Sequence, residues 1–266
     1  MNTAKLKNIV IAILALLNAC LLFLLLFRTS TTKQDYERTA TQLVTLYESG
    51  DIRLSPDTIP HSVSLPEVQP QRDTDAERRF AEALLGETLS IDASGGIYRY
   101  ETQNSSCVFR GSGSVEALLS RPVESPAAFC RDLGERFGYG EFRETGDPTA
   151  LTVSAVRMLD GIPVHDCVLS FRFRENTLIS VTGSFLSLPD AFERYSESDP
   201  ITALVNFFDY RSASGVVCTE ITGIRCGYLL ERSSSGSQRL LRAVRIDTDV
   251  NSYCVLEQSG EVLRLS

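Results

Sequence analysis

Histidine is almost absent from this chain: His61 lies in a proline-rich stretch, His165 lies in a strand-like one, and neither sits in a motif. General acid and base chemistry most often uses histidine, so this scarcity removes the usual catalytic pairings. The sequence also has no G-x-S-x-G, no H-E-x-x-H and no metal-type cysteine pair. A nucleophile elbow or a zinc site of familiar spacing is thereby excluded. Polybasic runs are missing too, because the arginines are interleaved with carboxylates rather than gathered into a stripe. Neutralising phosphates requires clustered Lys and Arg, which argues against nucleic acid as a partner. The carboxylate pairs Glu193 with Glu197 and Asp247 with Asp249 have no sequence neighbours that would tune them as acid and base, and they read as solvated faces. The serine-rich strings at 111–114 and 233–236 read as turns. The expectation is therefore no enzyme, no metal, no cofactor and no small-molecule substrate.

The 266 residues are 43% hydrophobic and 23% charged, a composition that supports a folded core. The net charge is −8; setting aside Lys5, Lys7 and Arg28 leaves 23 basic residues against 34 acidic ones, a balance of −11 for residues 29–266. Such an acidic balance favours solubility and keeps a domain from lying flat on an anionic lipid surface.

One long apolar run interrupts this polar composition. From Ile9 to Phe27 the only strongly polar residue is Asn18, and a helix of this length spans about 28 Å, close to a hydrocarbon core. A cleaved secretory signal would have a shorter apolar stretch and a small-x-small site, which Phe27-Arg28-Thr29-Ser30 does not offer. Leu17-Asn18-Ala19-Cys20 has the look of a lipoprotein box, but cleavage there would leave the apolar run Leu21 to Phe27 at the new start instead of a polar tether. An uncleaved anchor is expected. Basic residues flank it almost equally, with Lys5 and Lys7 before and Arg28, Lys33 and Arg38 after, so length decides the orientation. The short tail stays in the cytoplasm and the long C-terminal part lies outside the cell membrane. At 100° per residue Ala12, Ala15 and Ala19 share one face with Asn18 at its edge, a candidate surface for packing against another membrane helix.

Beyond the anchor, Tyr36, Ala40, Leu43, Val44 and Tyr47 fall at helical spacing and predict an amphipathic helix over 33–49, ended by Gly50. Four prolines between residues 51 and 72 predict an extended linker with an edge strand near Ser62 to Leu65. A helix followed by strands then recurs. The first runs from Thr74 to Leu85; the second starts at Ser125-Pro126 and the third at Asp199-Pro200, each an N-cap followed by a first-turn proline. Strands are predicted near 88–92, 96–102, 106–111, 151–159, 162–174, 177–185, 216–221, 224–231, 239–246, 252–257 and 261–265. The expected architecture is α+β: a cytoplasmic tail (1–8), a transmembrane helix (9–27), a juxtamembrane helix and linker (28–72), and tandem helix-plus-antiparallel-sheet units at 73–120, 121–190 and 191–266.

Six cysteines follow the anchor, an even number that permits disulfides in an exported domain. At most one or two bridges are expected, because Cys130 lies on a helix and Cys167, Cys218 and Cys254 lie in strands, where cysteine often packs as a small apolar residue. Cys218 with Cys226 is the candidate pair. Tyr98, Tyr100, Tyr195, Phe208 and Tyr210 are aromatics that serve a core or an interface equally well.

Several short motifs together resemble a known family. The anchor with its basic tail, then Ser49-Gly50-Asp51-Ile52-Arg53-Leu54-Ser55-Pro56, then Asp160-Gly161-Ile162-Pro163-Val164-His165-Asp166 with the alternating strand after it, then Leu178 to Gly183, and finally Tyr253-Cys254-Val255 and Ser259-Gly260-Glu261, resemble YycI-type regulatory proteins of Gram-positive bacteria and related PepSY-like units. The resemblance implies a PepSY-like outer domain that, with a YycH-like sister protein, binds and adjusts a membrane sensor histidine kinase of a two-component system controlling the cell wall. It implies action partly through membrane-helix contact, for which the Ala12, Ala15, Asn18 and Ala19 face is the candidate surface. The PepSY side implies an alternative: an inhibitor or chaperone of a cell-wall peptidase or lytic enzyme.

Overall fold

The computed structural model describes residues 36–86, 90–188, 194–232 and 238–265. The expected membrane helix lies outside them, as does its packing face of Ala12, Ala15, Asn18 and Ala19; among the described residues no helix is long and apolar enough to cross a membrane. The architecture is α+β and mostly sheet.

In chain order the elements are helix α1 (36–49), a short 3-10 turn (Pro56–Thr58), β1 (Ser64–Pro66), α2 (Thr74–Leu85), β2 (Ser90–Ser94), β3 (Ile97–Glu101), β4 (Ser106–Phe109) and β5 (Ser114–Pro122). Then come α3 (Pro126–Arg136), β6 (Tyr139–Asp147), β7 (Ala150–Leu159), β8 (Ile162–Arg174), β9 (Thr177–Ser184) and β10 (Tyr195–Glu197). Helix α4 (Pro200–Ser214) and strands β11 (Ile221–Arg232), β12 (Gln238–Thr248), β13 (Ser252–Leu256) and β14 (Val262–Leu265) close the chain.

Helix starts follow local chemistry. Asp73 accepts from the backbone N–H groups of Asp75 and Ala76, Ser125 from that of Ala128, and Asp199 from that of Thr202, each satisfying donors that the first turn leaves free. Pro126 and Pro200 occupy the first turn, where the missing N–H costs nothing.

Twelve strands form one sheet in the order β14-β13-β12-β11-β8-β9-β5-β4-β3-β2, with the β6–β7 hairpin branching from β8; β1 and β10 make a separate two-stranded ribbon. The expected boundary between residues 120 and 121 falls inside β5, which pairs with β9, and the sheet runs on through all three expected units. The junction is a bend in β8. Val164 pairs with Arg157 of β7 and Val168 with Val156, so residues 165–167 bulge out of that ladder. At the bend β8 meets β11 in parallel at Val164 and Tyr228, and the Asp166 carboxylate accepts the backbone N–H of Leu230. Asp160 and Gly161, both at positive φ, make the tight turn that sends the chain from β7 into β8.

Two cores result. In the first, α2 and α3 cover strands β3 to β9, and Phe80 lies at its centre with ring contacts to Phe109, Phe137 and Phe185. In the second, α1 and α4 cover β11 to β14 with Leu43, Tyr47, Leu204, Phe207, Ile246 and Tyr253 buried. A smaller seam of Leu65, Leu159, Val164, Cys167, Leu186 and Tyr228 joins them.

Four expectations are corrected. Strand β5 was not predicted, although Val115, Ala117 and Leu119 alternate inward along it. Strand β6 was not predicted either, because Glu141, Arg143, Glu144 and Asp147 make it polar; its partner β7 holds it extended. No strand forms over 216–220. There Asp249 accepts from the backbone N–H and the hydroxyl of Thr219, fixing a loop. Finally, Cys218 and Cys226 are not bridged: all six described cysteines are free and buried.

Candidate functional site

Helix α1 is built into the second core. Ala40, Leu43 and Tyr47 recur at helical spacing and are buried against α4 and the β11–β14 sheet. The Tyr47 hydroxyl donates to the Leu204 carbonyl at 2.8 Å, and its ring meets Phe208 edge-on with centroids 5.3 Å apart. Burial pushes the Tyr47 phenol well above its ordinary value, so it stays a donor.

Both ends of α1 are held. At its start the Tyr36 hydroxyl donates to the Pro60 carbonyl and the ring lies 4.8 Å from that of His61. At its end Arg211 donates to the Gly50 carbonyl at 3.0 Å, and a Cβ on Gly50 would come within 2.9 Å of the Phe208 ring, so only glycine fits this approach. The chain then runs beside β11. Arg53 donates its backbone N–H to Thr219 and accepts that of Ile221, both at 2.9 Å, while Ile52, Leu54 and Ile59 enter the same core. Sequence periodicity identified the buried stripe of α1, and Phe208 reads as an aromatic for a core or an interface, but nothing local pairs the two helices or points to Arg211.

His165 has a different environment. Its imidazole is 5% exposed and packs over Gly227 of β11, where a Cβ would lie 2.7 Å from Nε2. That nitrogen has no hydrogen-bond partner among the described residues. Burial, reinforced by Arg245 and Arg225, pushes the imidazole down to about 3 and keeps it neutral. Around it the charges are matched: Arg225 pairs with Glu141 at 2.7 Å and Asp247 at 3.8 Å, and Arg245 pairs with Asp247 at 2.7 Å. Asp247 is thus engaged rather than solvated, which corrects the sequence reading. Burial opposes its ionisation, but the Ser252 hydroxyl and the Arg245 guanidinium outweigh that and hold its carboxyl below the ordinary value. Asp249 is likewise taken up by Thr219, so Asp247 ties β12 to β13 while Asp249 fixes the loop before β11, and the two form no acid and base pair.

The thiols are equally unsuited to attack. Burial pushes Cys107, Cys130, Cys167 and Cys254 up to about 12, and it raises Cys218 and Cys226 as well, so all remain protonated and packed. Of the aromatics singled out earlier, Tyr100 is core, Tyr98 lies under the Arg72 guanidinium at 4.7 Å, Phe208 and Tyr210 pack against the second core, and Tyr195 is exposed. Glu193 and the 233–236 string lie outside the described residues.

No known family profile matches the chain, and no curated protein matches it. Solved structures do. An uncharacterised protein from Eubacterium rectale has 13% identity and a TM-score of 0.47, with 78% of this chain and 86% of that one covered. The YpeB C-terminal domain of Bacillus megaterium has 9% identity and a TM-score of 0.37 over 74% of this chain and 99% of that one. YycH from Bacillus subtilis has 12% identity and a TM-score of 0.39 over 78% of this chain, which spans 51% of that one.

Proposed function

We propose that this chain is a membrane-anchored extracytoplasmic regulator of a two-component sensor histidine kinase, working with a YycH-like sister protein by contact rather than catalysis. The observation that carries the reading is the docking of α1. Residues 28–35 alone separate the expected anchor from a helix whose apolar stripe belongs to the outer core. A partner that tilts or rotates the outer domain therefore moves α1 with it, and the displacement reaches the membrane within a few residues. Two further features agree with contact as the mode of action: His165 is held neutral in a closed site and the cysteines are held as thiols. Only about 1.4 kcal/mol of differential contact is needed to shift a kinase equilibrium tenfold.

The test is crosslinking in living cells of the full-length chain and of a version with Ile9 to Phe27 replaced by an unrelated membrane helix, followed by mass spectrometry. Recovery of a sensor kinase with the native helix, weakened by the replacement, is the expected result. Recovery of wall hydrolases alone, equally from both versions, would overturn it in favour of the inhibitor reading.

A further inference from the structure

The linker over 67–73 crosses from the ribbon to α2 along an open cleft between the two cores. Three adjoining hollows share Gln69 and Gln71; the largest is about 1180 Å³ and the next about 820 Å³. In a chain of net charge −8 this cleft is rich in arginine. Arg194, Arg239 and Arg242 line one end; Arg72, Arg136 and Arg157 line the other.

Arg72 is paired with Glu77 at 2.7 Å and Arg242 with Glu257 at 3.4 Å, while the other four form no ion pair among the described residues. Arg157, mostly buried, donates to the carbonyls of Leu186, Gly138 and Met158 and not to a carboxylate, so its full charge stays in the wall. Arg136, Arg194 and Arg239 are exposed and form no ion pair among the described residues. Four carboxylates also line the cleft, but Asp73 caps α2 and Glu67 accepts the Ser196 hydroxyl. Glu231 and Glu261 are left at the rim.

The rest of the lining suits a peptide. Tyr228, Leu240, Leu256, Phe137 and Leu188 supply apolar surface between the arginines. Residues 68–72 carry no regular secondary structure, and apart from Pro70, which has no N–H, their N–H and C=O groups take part in none of the described backbone hydrogen bonds and stay open to a strand laid along them. We infer that the cleft binds an extended acidic peptide segment of another protein, its carboxylates on the arginines and its backbone along residues 68–72. A phosphate polymer fits less well, because a charge on every unit would meet Glu231, Glu261 and the apolar surface. The inference does not rest on the kinase reading, since it concerns the cleft and not the membrane helix.

The full-length chain in nanodiscs is used to select from a displayed library of random short peptides. The selected pool is expected to be enriched in Asp and Glu. A selected peptide should bind roughly tenfold more weakly to Arg194→Glu/Arg239→Glu, and more weakly as salt rises. Arg174→Glu, an exposed residue outside the cleft, should leave binding unchanged. A pool no more acidic than the input, equal binding by the double variant, or saturable binding of inorganic polyphosphate without peptide enrichment would overturn the inference. None of these outcomes depends on whether a kinase is crosslinked.

Discussion

The two cores are covered in different ways. The first is covered by α2, which precedes its strands, and α3, which lies between β5 and β6, and its centre is the ring cluster of Phe80, Phe109 and Phe185 with centroid separations of 5.0 to 6.1 Å. The second is covered by α4 together with α1, whose Tyr47 lies 157 residues before the Leu204 carbonyl that it meets. The first core closes over segments that reach from Phe80 to Phe185. The second closes over a longer span, from α1 to the last strands, and so depends on a helix distant in sequence from the sheet it covers.

The largest test of that difference is Phe80→Ala. Truncating a fully buried aromatic should cost about 3–5 kcal/mol, measured by urea unfolding. Hydrogen exchange should accelerate in α2 and β3 to β5 while α1 and β12 keep their protection; acceleration throughout would show that the cores unfold as one.

Leu43→Ala should cost somewhat less, about 2–5 kcal/mol, because α1 sits at the edge of its core. Its exchange signature should be the mirror image, with protection lost in α4 and β11 to β14 but kept around Phe80. Protection lost only within α1 would mean that the second core stands without that helix.

The smallest effect at neutral pH comes from His165. Its unfolded value is 6.5 and its folded value about 3, so the unfolded state takes up a proton first as pH falls. Its contribution to stability is therefore complete above pH 6.5 and is lost progressively down to about pH 3. Urea midpoints of His165→Gln should fall less over this window than those of the unaltered chain. Equal slopes would mean that other groups, Asp247 beside the ring among them, dominate the acid response.

The parts legible in the sequence are those governed by neighbours along the chain. Ser125-Pro126 and Asp199-Pro200 mark helix starts because a cap acts on backbone groups three residues away. Strand β8 was legible because Leu169, Phe171 and Phe173 alternate with exposed or half-buried residues. Strand β6 was not, since a polar edge strand has no alternation and is extended only by pairing with β7. The arginine cleft escaped for a similar reason: Arg72, Arg157 and Arg239 are scattered in sequence, and the fold alone brings them to one surface.

By itself the sequence determined an apolar run long enough to span a bilayer, an acidic remainder, two capped helix starts after the linker and an α+β composition, consequences of composition, periodicity and short-range hydrogen bonding. The tertiary structure alone decided that one sheet runs through the three expected units, that His165 is closed away beside two arginines and that α1 is clamped to α4. These depend on which distant segments meet, and long-range contacts leave no local trace until the chain has closed on them.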